Sequence, residues 1–442
     1  MSARIALLSV VLGAGSSCYA ASTVEGLPCS SDASCGSEHV CVLGYCRADI
    51  DDALAGCGDG IMVQGELCYP LSGRVELMVG DAPLNDVAWA DLDGDGLVDI
   101  TTVSDVATVL HGNVDGGFSP RLLEAELTAA NLATLELPPV PDDLLVPIDI
   151  HRVAVADLVG SSFPDFAFVA RIGVDVPEQL QQYQAIIEAP LWVVENDGET
   201  LIPPQPVLAT AGLDLGAQTL PPHGLRVGDF DGDTRSDLLV ATQDDEGAVH
   251  HQWIRVDQGQ FSEPIALPLP PTETAAESAD IDGDGRSDLL VLHPAGNELW
   301  WMLGPLDAPK PERLSLSDAP IAMHIGAIDD APGLDVAVLL PQGRQLWSWR
   351  SGEWELVAER DAGAAVDIAA GDLDGDGFVD LLTASSEGID ILAGFPGPQL
   401  GASVLFVSEG AAQIEARRLD GDDAPELVLS RPEGVTVRFA AP

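Results

Sequence analysis

Four stretches of the chain repeat the pattern Asp-x-Asp-Gly-Asp-x-x-x-Asp: Asp91, Asp93, Asp95, Asp99; Asp229, Asp231, Asp233, Asp237; Asp280, Asp282, Asp284, Asp288; and Asp372, Asp374, Asp376, Asp380. Carboxylates at alternate positions of a tight loop point at one locus. The carbonyl of position 7, held by Leu97, Arg235, Arg286 and Phe378, can add a further oxygen. Six to eight oxygens at about 2.4 Å suit Ca2+ better than the strict octahedron of Mg2+. The glycine at position 4 permits the backbone bend. Without an ion the carboxylates repel, so calcium in about four sites is expected to stabilise the chain. A calcium loop of the helix-loop-helix kind needs a bidentate Glu at position 12. Here those positions are Thr102, Val240, Val291 and Thr383, inside apolar runs that read as strands. Plain Asp/Gly turns without an ion are the competing reading, and the stronger one for three decayed copies.

Those copies fill the gaps. Asp157–Asp165 keeps its ends but has Val159 and Ser161 inside. Ala327–Asp335 keeps Asp329 but loses the first and third ligands. Arg418–Glu426 keeps Asp420 and Asp422 but starts with a cation. The last acidic positions fall at 99, 165, 237, 288, 335, 380 and 426. Units of about 50 residues built of short strands indicate propeller blades. In the first unit Asp86–Ala90 leads in, Asp99–Val103 returns, and Val106–His111 and Pro120–Glu124 follow. The seventh unit stops after three strands, at Val435–Phe439, while Arg74–Val79 precedes the first unit without a partner. The economical arrangement lets Arg74–Val79 complete the seventh blade, which leaves no free edge.

The Asp loops, with Val109-Leu110-His111-Gly112-Asn113 and Gly117-Phe118-Ser119-Pro120 after the first, resemble FG-GAP/VCBS-type repeats. The resemblance covers residues 71–442 and departs in units two, five and seven. It implies an all-β fold, a seven-bladed β-propeller of four-stranded blades like that of integrin alpha heads and many secreted bacterial proteins. Its implied roles are protein interaction or adhesion at a cell surface.

Charge narrows the partners. Lys and Arg total 19 against 72 Asp and Glu, a formal charge of -53. Such a surface repels phosphate backbones and anionic lipid, which excludes nucleic-acid binding and a basic membrane-surface helix. A halophilic adaptation is a weaker explanation of the same charge. The eight histidines show no ligand spacing, and His250 and His251 face opposite sides of a strand. No nucleophile elbow, phosphate loop or dinucleotide fingerprint occurs. No catalytic residue is assigned. Trp192, Trp253, Trp300, Trp301, Trp347 and Trp349 recur on third strands. Packing between blades is favoured for them over platforms for sugars. Strand alternation turns one of Trp300 and Trp301 to a neighbouring blade and the other to solvent. Two insertions, Thr128–Ile148 and Val174–Pro190, lengthen early units, and 177–183 reads as a short helix; they are binding loops or neutral additions.

Residues 1–20 read as an export signal: Arg4, an apolar run Ile5–Ala14, then small residues before Cys18. Gly15-Ser16-Ser17-Cys18 loosely resembles a lipobox, so a lipid anchor at Cys18 and a cut after Ala20 both fit. No segment offers 18 uninterrupted apolar residues, so no transmembrane helix is expected. Six further cysteines, Cys29, Cys35, Cys41, Cys46, Cys57 and Cys68, place a disulfide-rich module over 21–70. Pairing is open, and zinc is disfavoured because no C-x2-C occurs. Cys57-Gly58-Asp59-Gly60 resembles short Cys-rich modules of secreted bacterial proteins. The expectation is an exported, extracellular or outer-membrane-surface monomer binding a protein or glycan. The alternative is a carbohydrate-active propeller, a lectin or polysaccharide lyase.

Overall fold

The computed structural model describes residues 40–42, 45–47 and 74–78 and most of 84–438. The stretches of four or more residues outside it are 1–39, 48–73, 79–83, 113–117, 124–147, 173–190, 199–204, 207–223, 244–247, 407–412, 418–425 and 439–442, and 374–376 lies outside it as well. The expected signal with Cys18, the cysteines other than Cys41 and Cys46, and the 177–183 helix therefore lie outside the described residues. So do Val174–Pro190 and nearly all of Thr128–Ile148. Of the N-terminal module, a hairpin pairs Val40–Val42 with Tyr45–Arg47 and sets Cys41 opposite Cys46.

The described residues form seven four-stranded antiparallel sheets and two short hairpins. Sheet one runs Asp86–Ala90, Asp99–Val103, Ala107–Gly112 and Phe118–Leu123 in simple up-and-down order. Sheets two to six repeat this, starting at Ile148, Gly224, Ala276, Ala322 and Asp367. Sheet seven takes three strands from the C-terminal region, Gln413–Arg417, Glu426–Arg431 and Gly434–Arg438. Its fourth is Arg74–Met78, paired with Gly434–Arg438 so that Val75 opposes Val437. The upstream strand thus finds the partner that the strand count required.

After the leading acidic residue the second strands are mostly apolar, because both of their faces are covered. In Asp288–His293, Leu289 and Val291 pack with Phe230, Leu239 and Trp253 of sheet three. Leu290 and Leu292 point the other way, against Val336 and Val338 of sheet five. Strand alternation thus builds two cores from one strand. Each fully buried leucine contributes about 1.5–3 kcal/mol of apolar transfer. Trp301 joins Trp349 and Trp354 edge-to-face across the seam of sheets four and five, with centroids 6.1 Å and 6.4 Å away. Similar clusters join sheets two and three, five and six, and seven and one.

Polar ties cross seams where first strands abut, as where Ser278 of sheet four donates to the Val227 carbonyl of sheet three at 2.9 Å. Asp86 of sheet one accepts the Val153 amide of sheet two at 3.1 Å. Asp367 of sheet six accepts the Ile414 amide of sheet seven at 2.9 Å. Across the seam of sheets five and six, buried Arg344 pairs with Asp390 and donates to Thr383 Oγ1 at 2.8 Å. A cavity of about 340 Å³ is lined by residues of all seven sheets, among them Asp86, Arg152, Arg226, Glu277, Asp367 and Gln413. The arrangement is all-β and propeller-like. No helix among the described residues is long and apolar enough to cross a membrane.

Candidate metal centre

Each Asp loop joins the first strand of a sheet to the second. Its backbone follows from its composition. Gly94, Gly232 and Gly283 at position 4 sit at φ of +76°, +85° and +78°. Position 6 is left-handed as well: Gly96, Gly285 and Gly377 fill it in three loops, and Thr234 takes it at φ 71° in the other.

The carboxylates of positions 1, 3 and 5 brace this bend. Asp91 accepts the Gly94 amide at 2.7 Å with Oδ1 and the Gly96 amide at 3.0 Å with Oδ2. Asp229 does the same with Gly232 and Thr234, at 2.7 Å and 2.8 Å. Asp280 repeats it with Gly283 and Gly285, at 2.8 Å and 2.9 Å. Position 3 accepts the amide of position 5, and position 5 that of position 7, as in Asp95 with Leu97 at 2.8 Å. The bracing leaves carboxylate oxygens converging. One oxygen from each of Asp91, Asp93 and Asp95 lies within 4.8 Å of the others, and so do Asp229, Asp231 and Asp233, and Asp280, Asp282 and Asp288. An oxygen-only donor set of this kind fits a hard cation.

In the loop from Asp372, Asp372 accepts the Gly377 amide at 3.0 Å. Asp374 and Asp376 lie outside the described residues, and Phe378 is half-buried.

Position 9 has a task that the pattern did not reveal. Asp99, Asp237, Asp288 and Asp380 are each at most 1% exposed. Their two oxygens staple the loop to the end of the third strand. Asp99 accepts Leu92 at 2.7 Å and Gly112 at 2.9 Å; Asp288 accepts Ile281 at 2.8 Å and Gly304 at 2.7 Å. Asp380 accepts Leu373 and Gly394, both at 2.9 Å. A Cβ on Gly112 would stand 2.8 Å from the Val98 carbonyl, so the close approach needs glycine there. In the decayed loops Asp165 holds the whole staple, through Leu158 at 2.9 Å and Asn196 at 3.0 Å, while Asp335 keeps its loop half, accepting Ile328 and Asp329 at 2.7 Å each. Burial pushes Asp237 and Asp288 up to about 6 against the pull of these amides, and raises Asp99 and Asp335.

Cations of the chain also reach the loops. Arg235 pairs with Asp233 and Asp257, Arg286 reaches Asp284 at 3.1 Å, and Arg255 reaches Asp231 at 3.7 Å while lying over the Trp253 ring. In the decayed fifth loop Arg350 donates to Asp329 at 2.7 Å, so a guanidinium meets the surviving position-3 carboxylate. In the first loop His111 stands in the corresponding place. The signal for these partners was register. Each of His111 and Arg255 precedes the residue whose amide caps the position-9 carboxylate, a fact of strand pairing rather than of motif.

The third-strand tryptophans among the described residues pack on the cores between sheets. Trp253 is fully buried and donates to Asp237 at 3.1 Å. Trp301 is 6% exposed. Trp300 turns to the opposite face, half-buried on the core of sheets three and four, with its indole donating to Glu298 at 2.8 Å. The side chain of Trp192 lies outside the described residues.

Residues 229–291 match the FG-GAP-like repeat family, a span that begins with the loop at Asp229 and contains the loop at Asp280. No curated protein matches the chain. Among solved structures, the chain is similar to a lectin from Agrocybe aegerita described as recognising non-reducing terminal N-acetylglucosamine. Identity is 17%, the TM-score is 0.49, and the match covers 78% of this chain and 81% of that one.

Proposed function

We propose that this chain is a closed seven-bladed propeller whose intact Asp loops hold calcium, and that it acts outside the cell as a monomeric, non-catalytic interaction or adhesion module. The observation that carries this reading is the FG-GAP-like repeat at 229–291, with two amide-braced Asp loops set at the same corner of successive sheets. FG-GAP repeats occur in interaction and adhesion modules. A ring of sheets sealed by apolar seams offers a rigid platform on which loops can vary, the usual division between scaffold and binding surface. Calcium supplies the charge that three clustered carboxylates lack. The early residues supply export, with anchoring at Cys18 or release after Ala20, and their cysteines pair as disulfides.

The test is a display-library binding screen run on the full chain in calcium and in chelator. Calcium-dependent binders that compete for one surface support the module. Turnover of an acidic polysaccharide by the purified chain overturns the non-catalytic reading.

A glycan ligand is the second reading. It is favoured by the half-buried Trp300, flanked by Glu298 and by Arg313, whose guanidinium lies 5.8 Å from the ring. A glycan array showing signal that Trp300→Ala removes would select it.

A further inference from the structure

The intact Asp loops differ at one neighbouring position, the residue just before the amide that caps the position-9 carboxylate. It is His111 beside the first loop, Arg255 beside the second, Leu303 beside the third and Ala393 beside the fourth. His111 Nδ1 lies 3.3 Å from Asp93 Oδ2 and 3.4 Å from Asp99 Oδ1. That nitrogen is buried and makes no hydrogen bond. Three donors of two chemical kinds therefore converge on one point. Donors around a tetrahedral ion with bonds of about 2.0–2.1 Å stand roughly 3.3 Å apart. An oxygen-seeking ion with longer bonds tolerates the same spacing, so the imidazole decides. Neutral imidazole suits late first-row metals, whereas calcium takes oxygen.

We propose that the first loop is a site for a late first-row divalent metal, of which Zn2+ is the representative, bound by His111 Nδ1, Asp93 and Asp99. The inference rests on the reading of the Asp loops as cation sites and replaces calcium by this metal at the first of them. Its consequence is that one chain carries two kinds of metal. Calcium occupies the loops flanked by Leu303 and Ala393, and the imidazole gives the first loop a different ion.

The test uses the full chain stripped with chelator and titrated separately with Zn2+, Co2+ and Ca2+ by calorimetry, with Co2+ absorption as a second readout. The wild type should take one Co2+ with nitrogen and oxygen ligands and no thiolate charge-transfer band, which separates this site from the cysteines. His111→Asn should weaken that Zn2+ equivalent at least about tenfold, the loss that even an outer partner of a metal ligand brings. Its calcium binding at the other loops should stay unchanged. Asp282→Asn, remote from His111, should remove a calcium equivalent and leave Zn2+ untouched. Melting curves of both variants in metal-free buffer confirm that they fold. Asp93→Asn provides a second lesion of the site if His111→Asn does not. Equal Zn2+ affinity in wild type and in the site variant overturns the inference. So does calcium binding with no zinc at this loop, which leaves the calcium reading standing. Binding of neither metal overturns both.

Discussion

Asp335 accepts the Ile328 amide at 2.7 Å in a loop that has lost two of its ligand positions. A carboxylate retained where the neighbouring ones have gone is there for the backbone. The same Asp335 oxygen accepts the Asp329 amide at 2.7 Å, and burying the two donors without an acceptor costs about 1–3 kcal/mol each. Asp335→Ala should therefore lower unfolding stability by about 2–5 kcal/mol in denaturant titrations. Calcium stoichiometry should remain that of the parent chain. A neutral result would show that solvent replaces the staple.

Asp282 tests the opposite function. In chelator its charge adds to the repulsion around Asp280, while the amide oxygen of asparagine can still accept the Asp284 amide that Asp282 holds at 3.1 Å, so Asp282→Asn should raise the melting temperature of the ion-free protein. In calcium the order should reverse, because the parent gains binding energy that the variant has lost. At an ion concentration about 100 times the dissociation constant, one site contributes about 2.7 kcal/mol. Thermal melts of both proteins, with and without chelator, read the crossing directly.

Asp367 makes stability depend on pH. Burial, with repulsion from Glu415 and Glu277, pushes its carboxyl from the ordinary aspartate range up to about 7. The folded state thus holds the proton more tightly than the unfolded chain. The contribution is present below about pH 4, declines as pH rises, and is gone above about pH 7. Ion-free protein should be more stable at pH 5 than at pH 8, by an amount on the order of a few kcal/mol from this residue. Asp367→Asn should flatten that part of the profile. An unchanged slope would assign the dependence to the other raised carboxyls.

Thr234 occupies the left-handed position that Gly96, Gly285 and Gly377 fill elsewhere. An L-residue held there costs roughly 1–2 kcal/mol, and glycine returns part of that as unfolded-state entropy. Thr234→Gly should stabilise the chain by about 0.5–1 kcal/mol, seen as a higher denaturant midpoint. A lower midpoint would mean that the Thr234 side chain contributes more than its backbone costs.

Much of the fold could be read from residues alone. Period-two apolar runs and Asp/Gly corners located the strands of sheet one to within a few residues, and the unpaired run at Arg74 found Gly434–Arg438. The site was legible in type but not in division of labour. The pattern treats positions 1, 3, 5 and 9 as equals. Burial separates them, because position 9 enters the core with the second strand while the others stay at the surface. His111, Arg255 and Arg350 were opaque for a different reason. Each reaches its loop from the third strand, at a sequence distance set by turn and strand length, so no motif carries it.

The pairing of Arg74–Met78 with Gly434–Arg438 has a mechanical consequence. A tether attached upstream of Arg74 would pull on this strand along its own axis while the rest of sheet seven resisted. The five paired residues would then be loaded together in shear rather than unzipped one at a time. In the closed propeller proposed above, tension and platform integrity would meet in that single ribbon, and its rupture would leave Gly434–Arg438 as an exposed, sticky edge.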